Sequence, residues 1–106
     1  MRRFYTHLIP KDLLKKLRDA GFYPRIESPT YADVIDWFYG NGIWFNITSH
    51  DKNTGHLLFS YEIPWDVNLP KWFQDEVCND DRRFESWHDA ATAAFERGVQ
   101  LLDIKT

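Results

Sequence analysis

Apolar and polar positions alternate along this chain with two distinct periods, and the switch between them marks the elements. Between residues 10 and 20, Leu13, Leu14 and Leu17 form one apolar stripe while Lys11, Lys15 and Arg18 fall on the other side of the turn, which is the 3.6-residue period of an amphipathic helix. Pro10 suits its first turn and Gly21 the left-handed position just past its end. Residues 22–27 read as an extended stretch that Pro24 keeps at a sheet edge or in a connection. A second helix is expected over 31–39, with Tyr31, Val34, Ile35 and Phe38 inward and Asp33 and Asp36 outward. Thr30 followed by Asp33 three residues on resembles a capping box. Gly40-Asn41-Gly42 supplies residues that tolerate positive φ and ends the helix.

The period then changes to two. Residues 43–49 place Ile43, Phe45 and Ile47 on one face and Trp44, Asn46 and Thr48 on the other. After the polar stretch 50–55, residues 56–63 put Leu57, Phe59, Tyr61 and Ile63 on one face, with Leu58, Ser60 and Glu62 opposite. Together these segments predict an antiparallel hairpin over 43–63, which needs helices over its apolar face because a lone hairpin is marginal in water. Residues 64–83 carry Pro64, Pro70, Asn68 and Asn79 and show no period; loops of this length in small domains are often functional. From Ser86, a capping residue, a helix over 87–103 carries a broad stripe of Trp87, Ala90, Ala91, Ala94, Phe95, Gly98, Leu101 and Leu102. The fold class expected is α+β: an antiparallel sheet centred on the hairpin 43–63, packed by the C-terminal helix 87–103 and two N-terminal helices, 10–20 and 31–39. A chain of 106 residues holds one core, so residues 1–106 are expected to form a single domain.

Charge changes the picture at the N-terminal end. The formal net charge is −3, yet residues 1–25 carry +5 and the remainder −8. The basic end suits either a phosphate-rich partner or an acidic surface, and overall acidity weakens non-specific attraction to nucleic acid. No apolar run approaches the roughly 18 residues of a membrane span. Cys78 is the only cysteine, so no internal disulfide forms, and a cytoplasmic location is expected.

Catalytic and metal chemistry find little support. His50, Asp51 and His56 flank one turn, but a zinc site needs three or four ligands in set geometry, and no metal or cofactor is expected. Cys78 has no base near it in sequence, with His88 the nearest candidate. Carboxylates such as Glu62, Asp75, Glu76, Asp80, Asp81 and Glu85 occupy positions where charge is normally solvated. Gly40-Asn41-Gly42 precedes a strand rather than a helix, so it lacks the helix N-terminus that a phosphate loop uses. The chain is therefore not expected to be an enzyme.

Aromatic content is the stronger signal, with five tryptophans, five tyrosines and eight phenylalanines. Trp65, Trp72 and Phe73 lie in the aperiodic segment, and Trp44 alternates away from Phe45. These four are the expected partner-binding residues, since aromatic side chains dominate interface hot spots. The expected function is a small non-enzymatic protein-binding or accessory module, and self-association fits the same residues. The alternative is a nucleic-acid-binding protein using Lys11, Lys15 and Arg18 of the basic first helix.

Residues 13–22 resemble the opening helix of the HicA-type toxins, but that family's Gly-Ser-His signature has no counterpart at Ile26-Glu27-Ser28-Pro29-Thr30 and a second helix intervenes, so the likeness ends at one helix. The layout over most of residues 30–102 is similar to a loosely defined set of short, uncharacterised proteins of bacteria and their prophages. Residues 30–38, the aromatic hairpin, and residues 84–91 carry that similarity. It implies an accessory protein of a bacterial genome or mobile element and transfers no functional residue.

Overall fold

Both N-terminal helices stop where a glycine is able to take a positive φ, and the stops decide how each helix folds back on itself. The computed structural model describes residues 7–24, 28–51, 57–63, 71 and 82–105. Among these, α1 runs Lys11–Asp19, α2 Tyr31–Gly40, β1 Asn46–Asp51, β2 Leu57–Glu62 and α3 Trp87–Lys105. Three helices and one two-stranded antiparallel sheet make the fold α+β, with α3 packed on the hairpin. The described residues group into two compact units, Met1–Ile43 with Gly98–Thr106, and Trp44–Arg97.

In the first unit Pro10 lies just outside α1 rather than in its first turn. Its ψ of 149° is extended, and it contributes only its carbonyl, to Leu14 N at 2.9 Å. Gly21 has φ 107°; its N–H donates to Arg18 O at 3.0 Å and the Phe22 N–H to Leu17 O at 3.0 Å. That bond pair is a Schellman motif, with the expected apolar contact pair, Leu17 and Phe22, both buried. The same motif closes α2. Gly42 has φ 82°, its N–H donates to Tyr39 O at 3.0 Å, and the Ile43 N–H donates to Phe38 O at 2.9 Å. Phe38 and Ile43 are in turn buried. Asn41 adds a side-chain bond from Nδ2 to Trp37 O at 2.8 Å.

The expected capping box starts α2. The Thr30 N–H donates to Asp33 Oδ2 at 2.7 Å, the Thr30 hydroxyl donates to the same oxygen at 3.0 Å, and the Asp33 N–H donates to Thr30 Oγ1 at 3.4 Å. Asp33 is half-buried by this role instead of pointing to solvent, whereas Asp36 is exposed. The buried side chains here include Ile9, Leu13, Leu17, Phe22, Pro29, Tyr31, Val34, Phe38, Ile43 and Leu101. Trp37 seats between Phe22 and Phe38, with ring centroids 5.3 and 4.8 Å away.

The second unit is built on the hairpin. β1 and β2 pair antiparallel with Thr48 opposite Ser60 and Ser49 opposite Phe59. Pairing begins at Asn46 and not at Ile43, because the Ile43 amide is committed to the helix stop. The inner face is as the alternation predicts for Phe59, Tyr61 and Ile63, all buried, but Leu57 beside the turn is 49% exposed. Phe84 bridges to the far side of β2, with Phe59 N to Phe84 O at 2.8 Å and Phe84 N to Phe59 O at 2.7 Å. Arg82 braces this bridge, its guanidinium 5.4 Å from the Phe84 ring centre and Nη2 donating to Tyr61 Oη at 3.2 Å.

Ser86 caps α3, its hydroxyl accepting from Asp89 N at 3.0 Å. Trp87, Ala90, Ala91, Ala94 and Phe95 are buried, and the small alanines let the helix lie close over the apolar face. Phe45 meets Phe95 edge-on at 5.5 Å. Among the described residues no helix is long and apolar enough to cross a membrane.

Candidate functional site

On α1, positions 11, 14, 15 and 18 follow the i, i+3, i+4, i+7 rule and so share one face. Lys11, Lys15 and Arg18 are exposed there, and Leu14, between them, is half-buried. Asp12 in the first turn and Lys16 and Arg18 in the last complement the helix dipole. Two connecting segments rise beside this face. Ile9 N donates to Pro29 O at 3.0 Å and Tyr31 N to His7 O at 3.1 Å, an isolated antiparallel bridge at Leu8 and Thr30. The bridge ties the residues before α1 to those before α2, so neither strand of it can drift from the helix.

A groove of about 560 Å³ lies between the bridge and α1, lined by the apolar residues Leu8, Ile9, Leu14 and Pro29 and by the polar residues Lys11, Lys15, Arg18, Asp19 and Ser28. That size is within the range of small-molecule and peptide sites. Its formal balance is two positive charges. Leu8 is 60% exposed, a large apolar side chain held open at the groove wall. Among the described residues the side chains of Lys11, Lys15 and Arg18 have no ion-pair partner.

The expected nucleic-acid residues thus come together in one groove. Sequence reasoning placed them on a solvated helix face and missed Leu8, Ser28 and Pro29, which reach the site only through the bridge; no periodic signal marks those three. Of the expected partner-binding residues, Trp44 is 54% exposed, ahead of β1. Trp65, Trp72 and Phe73 lie outside the described residues, as do His56 and Cys78 of the metal and thiol readings. No three metal-ligating side chains cluster among the described residues.

A second polar group was not anticipated. Thr48, His50 and Ser60 share one face of the hairpin because the register sets Thr48 against Ser60. His50 Nε2 is 2.7 Å from Ser60 Oγ and 3.3 Å from Thr48 Oγ1, and the two hydroxyls are 3.1 Å apart. Ser60, 9% exposed, is a buried polar residue of this unit. A hydroxyl against an imidazole is the geometry of nucleophile and base, and acyl transfer also needs donors aimed at a developing oxyanion; the amides of Thr48, His50 and Ser60 are in the ladder. The contacts of His50 and Thr48 with Ser60 clamp β1 to β2 across the strands. No family model matches this chain, and comparison with the curated proteins and with the solved structures finds no match.

Proposed function

We propose that the protein is a small non-enzymatic binding module whose groove on α1 takes an acidic, leucine-bearing segment of a protein partner. The carrying observation is the combination of three cations with no ion-pair partner among the described residues, Lys11, Lys15 and Arg18, beside the apolar lining of Leu8, Ile9, Leu14 and Pro29. Cations alone would suit a phosphate backbone equally. Single-stranded nucleic acid, however, is held by stacking on aromatic rings along a basic track, and the described residues that line this groove include none. The net charge of −3 also opposes a long polyanion while leaving a short acidic segment attracted locally.

The test is fluorescence anisotropy with a short labelled peptide rich in glutamate and leucine, run beside a labelled single-stranded oligonucleotide. Exposed ion pairs contribute about 0.2–1 kcal/mol each, so replacing Lys11, Lys15 and Arg18 by glutamine weakens peptide binding about tenfold. Leu14→Ser weakens it as well, because the apolar lining contributes contact area. Tighter binding of the oligonucleotide, with affinity falling steeply between about 50 and 200 mM salt, would establish the nucleic-acid alternative instead. Peptide affinity indifferent to the glutamine substitutions removes the groove as the site.

A further inference from the structure

Charge is laid along the groove on α1 in a definite order. Lys11, Lys15 and Asp19 are spaced four residues apart on one row of the helix surface, and all three line the groove together with Arg18. Lys11 and Asp19 are the first and last residues of α1. At about 1.5 Å per residue they stand about 12 Å apart along the helix axis, with Lys15 midway. Arg18 adjoins Asp19, and their formal charges cancel at that end. The excess of two positive charges in the groove therefore belongs to the half built by Lys11 and Lys15. The helix dipole steepens the same gradient, adding about half a unit of positive charge at the Lys11 end and as much negative charge at the Asp19 end. Asp12 is acidic in the first turn, but it is not among the described residues that line the groove.

Two lengths decide whether a ligand reads this order. Screening at physiological ionic strength acts over about 8 Å, which is shorter than the separation of Lys11 and Asp19, so the two ends of the groove address different groups. An extended peptide advances about 3.3 Å per residue, so a stretch of about five residues reaches from one end to the other. Asp19 is exposed and stands in the last turn, where the dipole disfavours a carboxylate and where Lys16 and Arg18 supply the cations that suit it. The carboxylate does not serve the helix, and such departures from local preference are expected where a residue serves a site.

We propose that Asp19 is the residue that sets which acidic segment the groove accepts: the acidic residues of the segment lie against Lys11 and Lys15, and the residue that reaches Asp19 is basic. Leucines between the two ends fall level with Leu14, near the middle of α1. A segment that is acidic along its whole length sets a carboxylate against Asp19 and is disfavoured, even though it carries more negative charge. The proposal rests on the groove being the binding site and adds the order of charges in the partner.

Fluorescence anisotropy tests it with labelled peptides Gly-Glu-Glu-Leu-Leu-Xaa-Gly, where Xaa is lysine, glutamine or glutamate. On the wild type the lysine peptide is expected to bind about threefold tighter than the glutamate peptide, a preference the size of an exposed ion pair, with glutamine between them. Asp19→Asn leaves Arg18 alone at that end and reverses the order. Asp12→Asn changes the net charge equally and keeps the order, which separates a local effect from a global one. Circular dichroism checks that both variants fold, and the wild-type order is a readout that needs no variant. Glutamate binding tightest on the wild type, an order that survives Asp19→Asn, or one that Asp12→Asn reverses as well overturns the proposal and leaves the groove as the binding site. If none of the three peptides binds, the groove reading falls and this proposal falls with it.

Discussion

The capping box at the start of α2 allows a prediction in which bond lengths decide the order of effects. Asp33 Oδ2 accepts two bonds, from Thr30 N at 2.7 Å and from the Thr30 hydroxyl at 3.0 Å. Thr30 Oγ1 accepts one, from Asp33 N, at 3.4 Å, near the limit of a useful hydrogen bond. Thr30→Ala therefore removes the 3.0 Å bond and a weak one, and should cost about 1 kcal/mol, in the usual range for an N-cap. Asp33→Ala removes the short bond to a charged acceptor as well as the 3.0 Å bond, together with a carboxylate in the first turn, and should cost about 2 kcal/mol. The 3.0 Å bond is lost in both variants, so the double variant should also cost about 2 kcal/mol and not about 3 kcal/mol, a coupling of about 1 kcal/mol. Urea unfolding followed by circular dichroism reads these values, the larger one as a midpoint lowered by about 1 M. Thr30→Ala as costly as Asp33→Ala, or a strictly additive double variant, would refute the reasoning.

Phe38 and Phe95 are fully buried, one in each unit, and either change to alanine should cost about 3–5 kcal/mol, read as a sharply lowered urea midpoint. Nothing lies within 4 Å of where a Cβ on Gly21 would stand, so Gly21→Ala isolates the strain of φ 107° and should cost about 1–2 kcal/mol by thermal melt. Ser60→Ala takes away the hydroxyl that His50 and Thr48 share; a loss of about 1 kcal/mol is expected, with faster amide exchange in the hairpin.

Local order was legible in the sequence because it is set by residues a turn or two apart. The stripe of Leu13 and Leu17, the cap at Thr30 and Asp33, the stops at Gly21 and Gly42, and the burial of Phe59, Tyr61 and Ile63 all follow from period and propensity. The candidate site was legible only in half: Lys11, Lys15 and Arg18 could be placed on one helix face, but nothing local joins Leu8 to Pro29 beside them. The strand alternation could not say where pairing starts, since Ile43 and Phe45 alternate as well as Ile47 does. The hydrogen bond from Ile43 to Phe38 decided it. Likewise the even spacing of Thr48, His50 and Ser60 became a clamp only once the register opposed Thr48 to Ser60. Which backbone groups of β1 face outward depended on Phe84, 25 residues beyond Phe59 in sequence. Period and propensity are local, whereas register and bridges are hydrogen bonds between distant segments, and the groove and the facing of the β1 backbone groups are set by those bonds.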